Sequence, residues 1–219
     1  MLSVLSMLKR VCSRGRCRAA AGVAMCLAVS VASGPAGAAT LALSDLLDAK
    51  VQYAADFYVQ TSGRGSYDGS VVHAPGRDRR EFDTKQGHQI LLLRRDTDEA
   101  ALIWPERKWY LMSSFTGMAQ MIGGFDGVTL EARKSGAETV GGEKCTRYEV
   151  ANDSFHGKIW LTADNILMRA AGTVSFQGKD MPVDLGLRHV QRIASDPSAF
   201  LIPTGYVGVP LNLSKAGGQ

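Results

Sequence analysis

Apolar residues recur at every second position along most of the chain between residues 51 and 187. In VQYAADFYV, Val51, Tyr53, Ala55, Phe57 and Val59 fall on one side, with Gln52 and Asp56 on the other. VTLEAR sets Val128, Leu130 and Ala132 against Thr129, Glu131 and Arg133. ILMRAAGTVSF and MPVDLGL repeat the alternation, with Met168, Ala170 and Val174 opposing Arg169 and Thr173, and Val183 and Leu185 opposing Asp184. Successive side chains of a strand point to opposite faces, so this period predicts half-buried β-strands. Further strands are predicted over 66–73, 77–84, 88–95, 98–104, 107–112, 145–151 and 157–162. ILLL and AALIW are apolar on both faces, which predicts central strands covered on both sides.

Helical spacing is confined to three short stretches. Ser44-Asp45-Leu46-Leu47-Asp48-Ala49 predicts a capped turn or two. In SSFTGMAQMIGGF, Ser113 or Ser114 serves as cap, Phe115, Met118 and Ile122 share a face, and Gly123-Gly124 ends the helix. Asp196-Pro197 starts a last turn carrying Phe200 and Leu201. A sheet of roughly ten strands must bury its apolar face, and so few helical residues cannot cover it. The sheet is expected to curl on itself around an apolar hollow, a natural place for an apolar ligand.

The first residues alter the charge balance. MLSVLSMLKRVCSRGRCR holds Lys9, Arg10, Arg14, Arg16 and Arg18 and no acid; an apolar run follows, and GPAGAAT supplies Ala36 and Ala38 as the small residues of a cleavage site. This is the pattern of a secretory signal peptide over 1–38. The apolar run falls short of the ~20 residues that span a bilayer. The competing lipid attachment site, Cys26, follows Met25 where a small residue would stand. Of 25 Lys and Arg, five leave with the leader and no acid does, leaving 20 against 21 Asp and Glu, a net charge of −1. No basic surface remains to suggest nucleic acid as a partner. The expected location is the periplasm, with one domain over 39–210, a flexible tail over 211–219, and a monomer.

The leader also carries Cys12, Cys17 and Cys26, so Cys145 in GGEKCTRYEV is the lone thiol of the mature chain. It shares strand parity with Arg147 and Glu149, which places it on the polar face or near its edge. A basic neighbour there would lower its pKa. Structural, redox and intermolecular roles all stay open. His73, His88, His156 and His189 are scattered without metal-ligand spacing, and no cofactor or metal is expected. The cluster GRDRREF reads as a solvated strand face; alternatively Arg77, Arg79 or Arg80 at the rim of the hollow holds a lipid headgroup or carboxylate. The Met and Phe residues of 114–125 serve either as core or as a lid over a ligand.

The ordered set VQYAADFYV, VVHAPGRDRREF, IWPERKWYLM, GAETVGGEKCTRYEV, GKIWLTADNILMRAAG and SAFLIPTGY, spanning about 45–207, resembles the LolA/LolB-like family of bacterial periplasmic proteins. The resemblance implies a mainly β fold: a curved antiparallel sheet forming an unclosed β-barrel with a short helical lid. It implies a non-enzymatic protein that binds an acyl chain or other apolar ligand, as a carrier of lipoproteins or as an envelope sensor, with a lipoprotein or envelope protein as possible partner. Characterised carriers place an Arg directly before the Pro that follows the second strand, where it latches the lid; this chain has His73-Ala74-Pro75. A ligand in the hollow would meet Tyr53, Phe57, Trp104, Tyr110 and Met112 from the first strands, and Tyr148, Trp160 and Met168 from the later ones. From the lid it would meet Phe115, Met118, Met121 and Ile122. The alternatives are an envelope protein whose cavity is filled by its own side chains, and an outer-membrane β-barrel.

Overall fold

The structure, a computed structural model, describes residues 39–42, 48–62, 65–115, 117–118, 129–153, 155–176 and 178–210. Thirteen strands make one sheet: β1 (Ala39–Ala42), β2 (Tyr53–Thr61), β3 (Gly65–Ala74), β4 (Arg77–Thr84), β5 (Gly87–Arg94), β6 (Glu99–Trp104), β7 (Trp109–Ser113), β8 (Thr129–Val140), β9 (Glu143–Ala151), β10 (Phe155–Leu161), β11 (Leu167–Phe176), β12 (Lys179–Gln191) and β13 (Val207–Pro210). Their spatial order is β1-β8-β9-β10-β11-β12-β2-β3-β4-β5-β6-β7-β13. Neighbours are antiparallel except β13, which lies parallel to β7. The sheet is not closed into a barrel; among the described residues it ends at β1 and β13.

Turn chemistry explains why consecutive strands pair. Gly141 and Gly142 join β8 to β9 with φ of 58° and 87°. Two positive φ values in a two-residue loop match the right-handed twist of the flanking strands, and glycine adopts them without steric cost. The β5–β6 and β6–β7 connections share another design: a 3-10 turn (Arg95–Thr97, Pro105–Arg107) followed by one left-handed residue, Asp98 or Lys108. The predicted strands sit within a few residues of these boundaries. β1 and β13 were not expected; each is four residues long and exists only through its pairing partner.

Pairing register assigns the two faces. One row of paired residues crosses the sheet as Ala55, Val71, Arg80, Leu91, Leu102 and Leu111. The adjacent row is Tyr53, His73, Asp78, Leu93, Ala100 and Ser113. Toward the other end the same face carries Ala132, Val150, Ile159, Ala170 and Leu185. This is the inner face. At Gly69, Gly157 and Gly172 an added Cβ would collide with the backbone of the paired strand, so only glycine fits. Leu130, Ala132, Val150, Ile159, Leu161 and Ala170 form one buried cluster there; Tyr53, Ala55, Phe57, Val71, Met168 and Leu187 belong to another.

The outer face has its own core across β5 and β6, where Ile90, Leu92, Ala101 and Ile103 are buried under Tyr110, Ile202 and Tyr206. The segment that starts with the 3-10 turn Pro197–Phe200 supplies this cover, capped as expected by Asp196, whose carboxylate accepts from the Ser198 amide. ILLL and AALIW are thus closed on the outer side, while Leu91, Leu93 and Leu102 on the inner side stay half-buried. The expectation of cover on both sides holds for only one of them among the described residues.

Candidate functional site

The candidate site is the inner face, and its deepest part is polar at one corner. His73 is 1% exposed and stacks on Tyr53, ring centroids 4.9 Å apart. Its Nδ1 lies 3.0 Å from Asp78 Oδ1 and its Nε2 lies 2.9 Å from the Ala49 carbonyl oxygen. Both partners are acceptors, an arrangement that favours the doubly protonated ring. Burial opposes that charge, but the hydrogen bond and charge of Asp78, the Ala49 carbonyl and the charge of Asp48 outweigh it and raise the pKa above the ordinary histidine value. Asp48 in turn accepts from the Gly76 amide at 2.7 Å and pairs with Arg95 at 3.1 Å. The chain segment at Asp48–Ala49 is therefore tied to the sheet through His73, the β3–β4 turn and Arg95. The buried pair of His73 and Asp78 flanks the tight turn Ala74-Pro75-Gly76-Arg77. Burial also pushes the Tyr53 hydroxyl upward, helped by Asp78 and Asp48 and opposed by Arg80, so it stays protonated.

Of the residues expected to meet a ligand, Tyr53, Phe57 and Met168 come together in the buried inner cluster. Tyr148 packs against the neighbouring cluster on the same face. Trp104 pairs with Trp109 toward the β6–β7 turn, ring centroids 6.3 Å apart, on the inner side of the strand pair. Phe115 lies beneath Arg95, whose guanidinium carbon is 5.3 Å from the ring centroid, and Met118 is buried. Ser114 caps this turn, accepting from the Gly117 amide. Met121 and Ile122, with most of the expected lid, lie outside the described residues, as does most of the 44–49 turn. Trp160 is 6% exposed and belongs to the same buried cluster as Tyr53, Phe57 and Met168; its indole N–H donates to Glu138 and its ring lies 5.2 Å from the Arg169 guanidinium. Two residues stand on the outer face instead: Tyr110 packs on the β5–β6 core, and Met112 is 38% exposed beside it on β7. Apolar character marked them in the sequence, but strand register points them away from the inner face.

Cys145 also departs from expectation. Its parity with Arg147 is as predicted, but the side chain is not on a solvated surface: it belongs to the buried cluster that holds Trp160, Met168 and Leu187, with Val140 packed against it, and the residue is only 4% exposed. Burial raises its pKa, with Glu143 and Glu138 adding to the effect against a backbone hydrogen bond from Val140. A buried, protonated thiol is a poor nucleophile. At pH 7.5, Cys145 should react with a maleimide at least a hundredfold more slowly in the folded protein than in urea. Equal rates, read by mass spectrometry, would place the thiol at the surface.

Among the described residues no three His, Cys, Asp or Glu side chains gather as a metal site. The four histidines are dispersed: His73 in the core, His88 half-buried between Asp83 and Glu81, His156 exposed on β10, and His189 exposed and paired with Asp56. His73 on β3 and His88 on β5 are separated by β4. The residues that sequence reasoning passed over are His73 and Asp78. The four-residue reversal Ala74-Pro75-Gly76-Arg77 carries a signal for them, because a tight turn there forces 73 opposite 78.

No protein-family model and no curated protein sequence matches the chain. Solved structures do resemble it. An uncharacterised conserved protein from Thermus thermophilus superposes with a TM-score of 0.52 at 14% identity, over 74% of this chain and 91% of that one. The MucA/MucB complex of Pseudomonas aeruginosa contains a chain matched at a TM-score of 0.47 and 11% identity, over 74% of this chain but only 58% of that one. The LolA superfamily protein NE2245 from Nitrosomonas europaea gives 0.37 at 9% identity, over 72% of this chain and 93% of its own. At such identities the likeness concerns the fold alone, an unclosed and almost wholly antiparallel sheet.

Proposed function

We propose that this protein is a non-enzymatic binder of the cell envelope, holding an acyl chain or comparable apolar group against the inner face of its open sheet. It would serve as carrier or sensor in the periplasm, after loss of residues 1–38. The observation that supports this most is the inner face of β4–β7. Phe82, Leu91, Leu93, Leu102, Leu111 and Trp104 line one side of the sheet and stay only partly buried, while the opposite side of the same strands is closed by the C-terminal segment. A contiguous apolar surface of that kind marks a place for an apolar partner. The sheet's two unpaired ends also weigh against the outer-membrane barrel, because strands that cross a bilayer must close on themselves. No helix among the described residues is long and apolar enough to span one.

A second reading rests on the corner at Tyr53, where Ala49 and His73 fill the inner face with the protein's own groups. Native mass spectrometry of the protein purified from the periplasm of an exporting bacterium separates the two. The expected spectrum shows an added mass in the range of a lipid or fatty acid, lost on delipidation. A bare polypeptide mass, with no uptake of added fatty acid, would leave the self-filled reading in its place.

A further inference from the structure

The sequence offers three arginines in GRDRREF, and the structure separates them. Arg77 turns outward and is held by Asp96, with Nε and Nη2 at 2.9 and 2.6 Å. Arg79 also faces outward; it pairs with Glu81 and donates to the Ala199 carbonyl. Of the three, Arg80 alone points to the inner face, the single charge in a row otherwise made of Ala55, Val71, Leu91, Leu102 and Leu111. Its guanidinium carbon lies 5.8 Å from the centroid of Phe57. Its hydrogen bonding is incomplete: Nε is shielded from solvent with no partner among the described residues. Its ion pair there is with Asp78 at 3.4 Å, and that carboxylate is already engaged by His73 at 3.0 Å.

The same corner holds His73, Arg95, Asp48 and Asp78. Asp48 pairs with Arg95, and Asp78 is divided between His73 and Arg80, so Arg80 has only a share of one carboxylate; Nε of Arg95 likewise has no partner among the described residues, but only Arg80 stands in the row of leucines. A guanidinium in apolar surroundings with an open donor is costly unless an anion completes it, and a carboxylate matches its fork geometry. We propose that Arg80 is the headgroup anchor of the inner face and that the ligand is an amphiphile with a single carboxylate, its chain lying over Leu91, Leu102 and Leu111. From β4 to β7 this path is about 14 Å long at the usual strand spacing. The inference rests on the proposed binding function and names the chemistry of its ligand.

The test uses the mature protein with an environment-sensitive apolar dye, displaced in turn by dodecanoate, dodecanol and dodecyl phosphate at pH 8 and low salt. The expected result is at least tenfold tighter binding of dodecanoate than of dodecanol. In Arg80→Met, which suits an apolar row, that ratio should fall to below twofold. Arg80→Gln serves as the second variant, with circular dichroism checking the fold of both. Equal binding of acid and alcohol by the wild type would overturn the anchor and leave the binding function standing, as would a ratio unchanged in both variants. Preference for dodecyl phosphate over dodecanoate would overturn the carboxylate. Failure of all three compounds to displace the dye, together with no uptake of fatty acid, would sink the binding function and the anchor with it.

Discussion

Replacing His73 with leucine will lower the unfolding free energy by about 3–5 kcal/mol, the cost of stranding one partner of a buried ion pair. Leucine fills much of the same space, so cavity formation contributes little. The loss comes from Asp78, which keeps only its long contact to Arg80, and from the Ala49 carbonyl, which loses its donor. For a domain of this size each kcal/mol is worth about 2–4 °C, so the melting temperature should drop by about 10 °C. The same variant carries a pH signature. An unfolded histidine titrates near 6.5, and the folded value is raised. Folding therefore takes up a proton. The stabilisation is fully present below about pH 6.5 and is lost as pH rises through the folded value. Charged groups facing the ring are Asp78, Asp48, Arg80 and Arg95, with Tyr53 stacked on it. The wild type should lose stability with rising pH across that window, and His73→Leu should be flatter over the same range. Parallel pH profiles for the two proteins would mean that the ring is neutral in the folded state.

Phe200→Ala should cost about 3–5 kcal/mol, in the range for removing a buried aromatic ring. Phe200 is 2% exposed on the segment that touches β4 and β5. The strands themselves do not depend on that ring, and β13 reaches β7 through this segment. Limited proteolysis of the variant should therefore cut first between residues 193 and 207, while a β-type circular-dichroism spectrum persists. Melting within 2 °C of wild type would show that the outer-face core closes without it.

The periodicity of the chain and its turn residues were enough to place most strands. A period of two, repeated between glycine-rich turns such as Gly141-Gly142, leaves little room for another local structure. Local signals also located the start of the last turn at Asp196-Pro197 and narrowed the earlier cap to Ser113 or Ser114, of which Ser114 accepts from the Gly117 amide. β1 and β13 were beyond reach: four residues hold no periodic signal, and their strand character is conferred by β8 and β7.

Parity along a strand says which residues share a face, and that much was correct for Cys145 and Arg147. It cannot say what lies over the face. Cys145 is buried because it joins a cluster with Trp160 of β10 and Met168 of β11, residues of other strands. Likewise Tyr110 and Met112 are apolar enough for a hollow, but register places them on the side of the β5–β6 core. The three arginines of GRDRREF look alike in the sequence; pairing with β3 and β5 alone puts Arg80 among leucines and leaves Arg77 and Arg79 to surface carboxylates. The sequence by itself thus determined the strands, their turns and the mainly β class, since these depend on backbone preferences and on side-chain alternation over a few residues. Only the tertiary structure decided which side chains of distant strands share a face, that Cys145 and His73 are buried, and that Arg80 stands among leucines. Those properties come from contacts between strands distant in the chain, and no local pattern encodes them.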